Sequence, residues 1–135
     1  MRTGFSKFNF LLFICLFAYS CADNNSEYAD LHLTKDNDGQ TVEIRIDNEI
    51  AIELESNPST GYHWIHSNTD GSFIYQEGES IFTEDPACSG FDGCGGRETL
   101  TFRSSQAGSG EIGLIYTRSA QEEPEEYFTI YVNVH

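Results

Sequence analysis

The sequence predicts an all-β fold: an immunoglobulin-like antiparallel β-sandwich of about seven strands. Three observations predict it. After Asp30, apolar residues recur at every second position in short runs. No long helical period appears there, and turn-forming Gly, Pro, Asn, Asp and Ser separate the runs at short intervals. Alternation with one polar face is the mark of half-buried antiparallel strands, and seven or so of them in roughly 105 residues is sandwich-sized.

The elements follow in order. Leu31-His-Leu33 is a weak strand. Val42, Ile44 and Ile46 alternate with Glu43 and Arg45, and Asp47-Asn48 then turns the chain into Ile50, Ile52 and Leu54. Tyr62 to Ile65 forms an aromatic strand whose Trp64 is expected between the sheets. Ile81-Phe82 is a second weak candidate. Leu100 and Phe102 alternate with Thr99, Thr101 and Arg103; Ile112, Leu114 and Tyr116 make the next strand; Phe128, Ile130, Val132 and Val134 make the last. Burying ten to fifteen such side chains, at about 1.5–3 kcal/mol each, can offset the chain entropy of one domain.

Three segments are expected: residues 1–20 as a lipoprotein-type signal peptide, 21–30 as a tether, and 31–135 as the sandwich. Arg2 and Lys7 precede the apolar run Phe8–Ala18, and no acid occurs before Asp23. That run is too short for a comfortable membrane span. Its end, Leu16-Phe-Ala-Tyr-Ser-Cys21, resembles a bacterial lipobox, although Tyr19 is bulkier than usual there. The resemblance implies lipidation of Cys21, export, and a place in the bacterial envelope, at the outer membrane or cell surface. Ordinary cleavage nearby, leaving Cys21 a free thiol, is the alternative.

All 22 acidic residues lie after Cys21, against five of the seven basic ones, so this part carries a net charge of −17. Nucleic-acid binding is excluded by that sign, because displacing phosphate counterions needs a basic face. Of the four cysteines, Cys88 and Cys94 remain in the domain. Export makes a disulfide between them chemically reasonable, with free thiols as the alternative. They are too close in sequence to staple two sheets together as antibody cysteines do.

Two loops stand out as candidate contact surfaces, with an ordinary β-sandwich turn as the alternative for the first taken alone. Asn57-Pro-Ser-Thr-Gly-Tyr62 follows the strand ending near Glu55: proline biases Asn57 toward extended backbone, Ser59 and Thr60 can bond the main chain, and Gly61 permits a sharp return. Gly93-Cys-Gly-Gly96 precedes Arg97–Arg103, and three glycines in four residues suit close approach by another surface. A phosphate cradle fails here, since no Lys-Ser/Thr, no helix pattern and no basic charge accompany the glycines.

Taken together, Asn57–Tyr62 and Gly93–Gly96 resemble the first two inhibitory loops of the chagasin family, inhibitors of papain-like cysteine peptidases. Leu114-Ile-Tyr-Thr-Arg118 and Tyr127-Phe-Thr-Ile-Tyr-Val132 resemble the strands flanking that family's third loop, so the match runs roughly from Gln40 to Val134. It implies a monomeric, non-enzymatic inhibitor whose three adjacent loops occlude the peptidase cleft reversibly, with no covalent bond. Asn57, Pro58, Ser59, Thr60, Gly61, Tyr62, Gly93, Cys94, Gly95, Gly96 and Arg118 are the implied peptidase-binding residues. The third loop departs from the family: Arg118-Ser-Ala120 keeps the arginine of an Arg-Pro-Trp-like signature and lacks its proline and aromatic. A surface adhesion or binding module on the same scaffold is the competing reading.

Other chemistry fits less well. A nucleophilic Cys94 would need a depressed pKa, yet glycines and acids surround it and Cys88 is at hand as a disulfide partner. A zinc site from Cys88, Cys94, His63 and His66 lacks knuckle spacing, and the two histidines point to opposite faces of one strand. Asp36-Asn-Asp-Gly39 lacks the remaining ligands of a calcium loop and reads as a solvated turn. No cofactor or metal is expected.

Overall fold

The computed structural model describes residues 30–67, 73–88 and 90–135. The expected signal peptide, the expected tether up to residue 29 and the expected lipidation site Cys21 lie outside these residues. Nine strands run in chain order: β1 (Leu31–Leu33), β2 (Thr41–Ile44), β3 (Glu49–Ser56), β4 (His63–His66), β5 (Ile74–Gln76), β6 (Ile81–Glu84), β7 (Gly96–Ser104), β8 (Gly108–Thr117) and β9 (Glu126–Val134). One sheet has the order β1-β3-β7-β5, with β6 also on β7, and the other is β2-β9-β8-β4.

Alternation explains the core. On β3 the inward residues Ile50, Ile52 and Leu54 lie opposite Phe102, Leu100 and Glu98 of β7. The facing sheet contributes Ile112 and Leu114 from β8 and Phe128, Ile130, Val132 and Val134 from β9. Trp64 closes one end of this core and is buried, as its aromatic strand predicts.

Three features differ from the sequence reading. There are nine strands among the described residues, and the sheets are not wholly antiparallel. β1 runs parallel to β3, and β2 parallel to β9. Neither pair is joined by a hairpin, so no tight turn dictates opposite directions. The chain crosses from β1 to β2 through a 3-10 turn at Lys35–Asn37. There Asp38 accepts the Thr129 amide at 2.8 Å and Gly39 N–H donates to the Thr129 carbonyl at 2.7 Å, so Asp36–Gly39 docks the crossover onto β9. β5 has no counterpart in the sequence reading; Ile74 is its one inward apolar residue, so no alternation registers, whereas Leu31 and Leu33 of β1 supply one. Ile46, expected inward, lies beyond the end of β2 and is exposed.

β7 is the longest strand of its sheet. Its residues 96–99 pair with β6 and 102–104 with β5, so two short strands share one edge in succession. All four β6 residues are exposed. This placement delivers the chain to the Gly96 end of β7, beside the end of β3 at Ser56.

Candidate inhibitory loop edge

Three connections meet at the end of the sandwich marked by Ser56, Gly96 and Thr117. They join β3 to β4, β6 to β7, and β8 to β9.

The first loop is closed by its own polar groups. Asn57, held out of the helical region before Pro58, leads into a 3-10 turn at Pro58–Thr60. The Asn57 carbonyl accepts Thr60 N–H at 3.1 Å and the Thr60 hydroxyl at 2.6 Å. Ser59 Oγ donates to Asn57 Oδ1 at 2.6 Å, and Gly61 N–H donates to the Pro58 carbonyl at 2.9 Å. Gly61 sits at φ 84°, a left-handed conformation that favours glycine, and reverses the chain into β4. Pro58, Ser59, Thr60 and Gly61 are exposed at the tip.

Asn57 is the joint of the whole edge. Its N–H donates to the Tyr116 hydroxyl at 2.8 Å, and its Nδ2 donates to the Gly93 carbonyl of the second loop at 3.1 Å. The Tyr116 ring packs against Tyr62 and Trp64, with centroids 5.4 and 5.1 Å away. Trp64 Nε1 donates to the Glu55 carbonyl at 2.9 Å.

Beneath the loop lies a buried carboxylate. Glu98, 3% exposed, accepts Ser56 Oγ at 2.9 Å and Trp64 N–H at 3.0 Å on Oε2, and Ser80 Oγ at 2.6 Å on Oε1. It therefore fixes the last residue of β3, the entrance to β4 and the approach to β6.

The second loop is held at several points. A disulfide joins Cys88 and Cys94, whose Cα atoms are 5.6 Å apart. Cys88 N–H donates to the Asp85 carbonyl at 2.8 Å, Phe91 N–H to the Cys88 carbonyl at 2.9 Å, and Asp85 N–H to the Gly95 carbonyl at 3.2 Å. The glycines serve different ends. Gly93, at φ 81°, makes the turn that presents its carbonyl to Asn57. A side chain on Gly95 would start 3.3 Å from the Ser56 carbonyl oxygen. One on Gly96 would start 2.2 Å from the Thr83 carbonyl oxygen, so the missing Cβ there makes room for β6 rather than for a partner.

The third loop is the β8–β9 hairpin, closed by Glu125 N–H on the Tyr116 carbonyl at 2.9 Å. Thr117 Oγ1 donates to the Ser119 carbonyl at 2.8 Å, shaping its start. The Arg118 guanidinium lies 4.5 Å over the Tyr62 ring, a cation–π contact that ties this loop to the first. A hydrogen bond to Glu125 raises the Tyr62 phenol above its ordinary pKa, with desolvation adding to the rise and Arg118 opposing it. Glu122, Glu123, Glu125 and Glu126 make this flank acidic.

All eleven sequence-predicted residues fall on this one edge, with Tyr62 half-buried behind the tip and Cys94 taken up by the disulfide. His63 is exposed, whereas the His66 ring meets Phe102 edge-on, so β4 does not bring the two histidines together. Sequence reasoning misses Glu98 and the hydroxyl of Tyr116. A signal for Glu98 exists, since it lies in phase with inward Leu100 and Phe102.

The two-sheet sandwich carrying these loops is matched by known proteins in sequence and in fold. A family model described as Chagasin family peptidase inhibitor I42 matches residues 43–132. The chain belongs to the chagasin family. Amoebiasin-1 of Entamoeba histolytica is 33% identical over 105 residues, covering 77% of this chain and 99% of that protein. Chagasin of Trypanosoma cruzi is 29% identical over 109 residues, covering 76% and 96%. The crystal structure of the cysteine protease inhibitor EhICP2 from Entamoeba histolytica superposes with a TM-score of 0.67 at 28% identity, covering 79% of this chain and 96% of that one. The family is thus described as one of peptidase inhibitors rather than enzymes.

Proposed function

We propose that this chagasin-family chain inhibits papain-like cysteine peptidases by laying its three tied loops into the active-site cleft, reversibly and with no covalent bond. The observation that carries the mechanism is the tie itself. Asn57 Nδ2 on the Gly93 carbonyl and Arg118 over Tyr62 make one continuous edge of three loops. Such an edge enters a cleft without first losing loop entropy, and that saving goes into affinity. Thr60 and Gly61 lead into the narrowest part of the cleft, beside the catalytic cysteine; Gly93 and Gly95 offer backbone to one wall, and Arg118 faces the other.

Titrating purified protein into papain and several cathepsin-like enzymes tests this. Inhibition that is lost on dilution, with the inhibitor recovered uncleaved and unmodified, is the expected result. Failure to inhibit every papain-like peptidase would leave the binding-module reading in its place.

The chain acts as a monomer on the outside of a bacterial membrane, tethered through a lipidated Cys21. This placement rests on the basic start, the short apolar run and the lipobox-like residues 16–21. Intact-mass measurement on membrane-extracted protein should find an acylated chain beginning at Cys21, and an unmodified soluble chain beginning elsewhere would refute it.

A further inference from the structure

Among the described residues Phe91 is the most exposed large apolar side chain, 72% accessible, and it stands in the second loop. Described residues on both sides of it are tied down. The Cys88–Cys94 disulfide closes it, Phe91 N–H is bonded to the Cys88 carbonyl, and the Gly93 carbonyl is bonded to Asn57 of the first loop. Positive φ at Gly90 and Gly93, 92° and 81°, makes the turns on either side of the phenyl group. Fixing the ring in a partner therefore removes little further backbone freedom.

The rest of the edge lacks an apolar anchor. The third loop, Arg118 to Glu125, contains no aromatic residue. Tyr62 and Trp64 each pack against Tyr116 behind the first loop, and its tip is Pro, Ser, Thr and Gly. Interfaces draw much of their energy from a few buried aromatic or arginine side chains.

We infer that Phe91 is the apolar anchor of this inhibitor, seating in an apolar pocket in the wall of the peptidase cleft and ranking target enzymes by that pocket. Its exposed neighbour Asp92 refines the partner: a pocket rimmed by carboxylates is disfavoured, and one with a neutral or basic rim is accepted. The inference rests on the inhibitor reading and adds to it the residue that sets specificity.

The experiment compares the purified wild type with Phe91→Ala, Phe91→Leu and Ile81→Ala against a panel of papain-like peptidases. Ile81 is 66% exposed on β6, opposite Thr99 and so set back from the loop edge, and serves as an apolar control. Phe91→Ala should raise the inhibition constant on the order of 30-fold for the best-inhibited enzymes and flatten the ranking across the panel. Phe91→Leu should fall between it and the wild type, while Ile81→Ala matches the wild type and all three keep its melting temperature. Equal inhibition by wild type and Phe91→Ala would overturn the anchor and leave the inhibitor reading standing. So would an equal loss from Ile81→Ala, or a change in self-association on removing Phe91, which would make a second copy the occupant. A wild type that inhibits no peptidase would overturn the inhibitor reading and the anchor together.

Discussion

Replacing Glu98 separates its charge from its hydrogen bonds. The carboxylate is 3% exposed and receives three donors, from Ser56, Trp64 and Ser80. Glu98→Leu keeps an apolar side chain in the space but orphans the Ser56 hydroxyl and the Trp64 amide, at about 1–3 kcal/mol for each buried donor. The loss is therefore roughly 2–6 kcal/mol, a large share of the 5–15 kcal/mol typical of a whole domain. In Glu98→Gln the amide oxygen can still accept from Ser56 and Trp64. The amide nitrogen can donate to the Ser80 hydroxyl, which either donates or accepts. Its cost should stay below about 1.5 kcal/mol, the net worth of one exchanged hydrogen bond. Urea unfolding of the wild type and both variants measures this directly, with inhibition constants as a second readout. The Glu98→Leu variant should also bind more weakly, because Ser56 and Trp64 position the first loop. Equal destabilisation by the two substitutions would show that the charge, not the hydrogen bonding, carries the effect. No destabilisation by Glu98→Leu would refute the keystone role.

Three further outcomes follow from the same edge. Thr60→Arg enlarges the exposed tip, so inhibition should weaken at least tenfold, about 1.4 kcal/mol, with an unchanged melting temperature; unchanged inhibition would mean that the first loop does not enter the cleft. Gly96→Ala drives a Cβ to 2.2 Å from the Thr83 carbonyl oxygen and 2.8 Å from Glu84 Cα, both backbone atoms that cannot swing aside. Overpacking of that kind costs about 1–3 kcal/mol, and thermal melting should fall by roughly 4–8 °C per kcal/mol. Tyr62 is the pH-sensitive contact. Because folding raises its phenol pKa through the Glu125 hydrogen bond, its contribution is full below the unfolded value of about 10 and is lost as pH rises through the folded value. Ultraviolet titration should show Tyr62 ionising late, and Glu125→Gln should move that ionisation back down; no movement would remove Glu125 as the cause.

The alternation of Ile50, Ile52 and Leu54, and of Phe128 through Val134, made the sandwich legible because solvent sorts the faces of a strand without reference to the rest of the chain. The two loops were legible for a similar local reason: proline, small hydroxyl residues and glycine constrain their own backbone. What joins the loops was not. Asn57 and Gly93 are 36 residues apart, as the bond between them records, and no period links such positions. The parallel course of β1 and β2 likewise depends on where the chain crosses, through a turn whose acids read as solvated. Glu98 was hidden differently. Its phase pointed inward, but a lone acid in a strand usually faces water, and its three donors come from segments that only the fold assembles.

The central place of Asn57 has a consequence for chemical ageing. Asparagine is lost in old proteins chiefly when the next residue's backbone nitrogen attacks the side-chain amide and expels ammonia, leaving aspartate or isoaspartate. Here aspartate would turn the Nδ2 donor into a second oxygen facing the Gly93 carbonyl, replacing attraction with repulsion at the point where two loops are joined. The next residue is Pro58, whose ring nitrogen carries no hydrogen and cannot complete that attack. The proline that stiffens the loop also makes its most vulnerable side chain durable, a useful property for a protein with the exported placement proposed above, beyond the reach of intracellular repair.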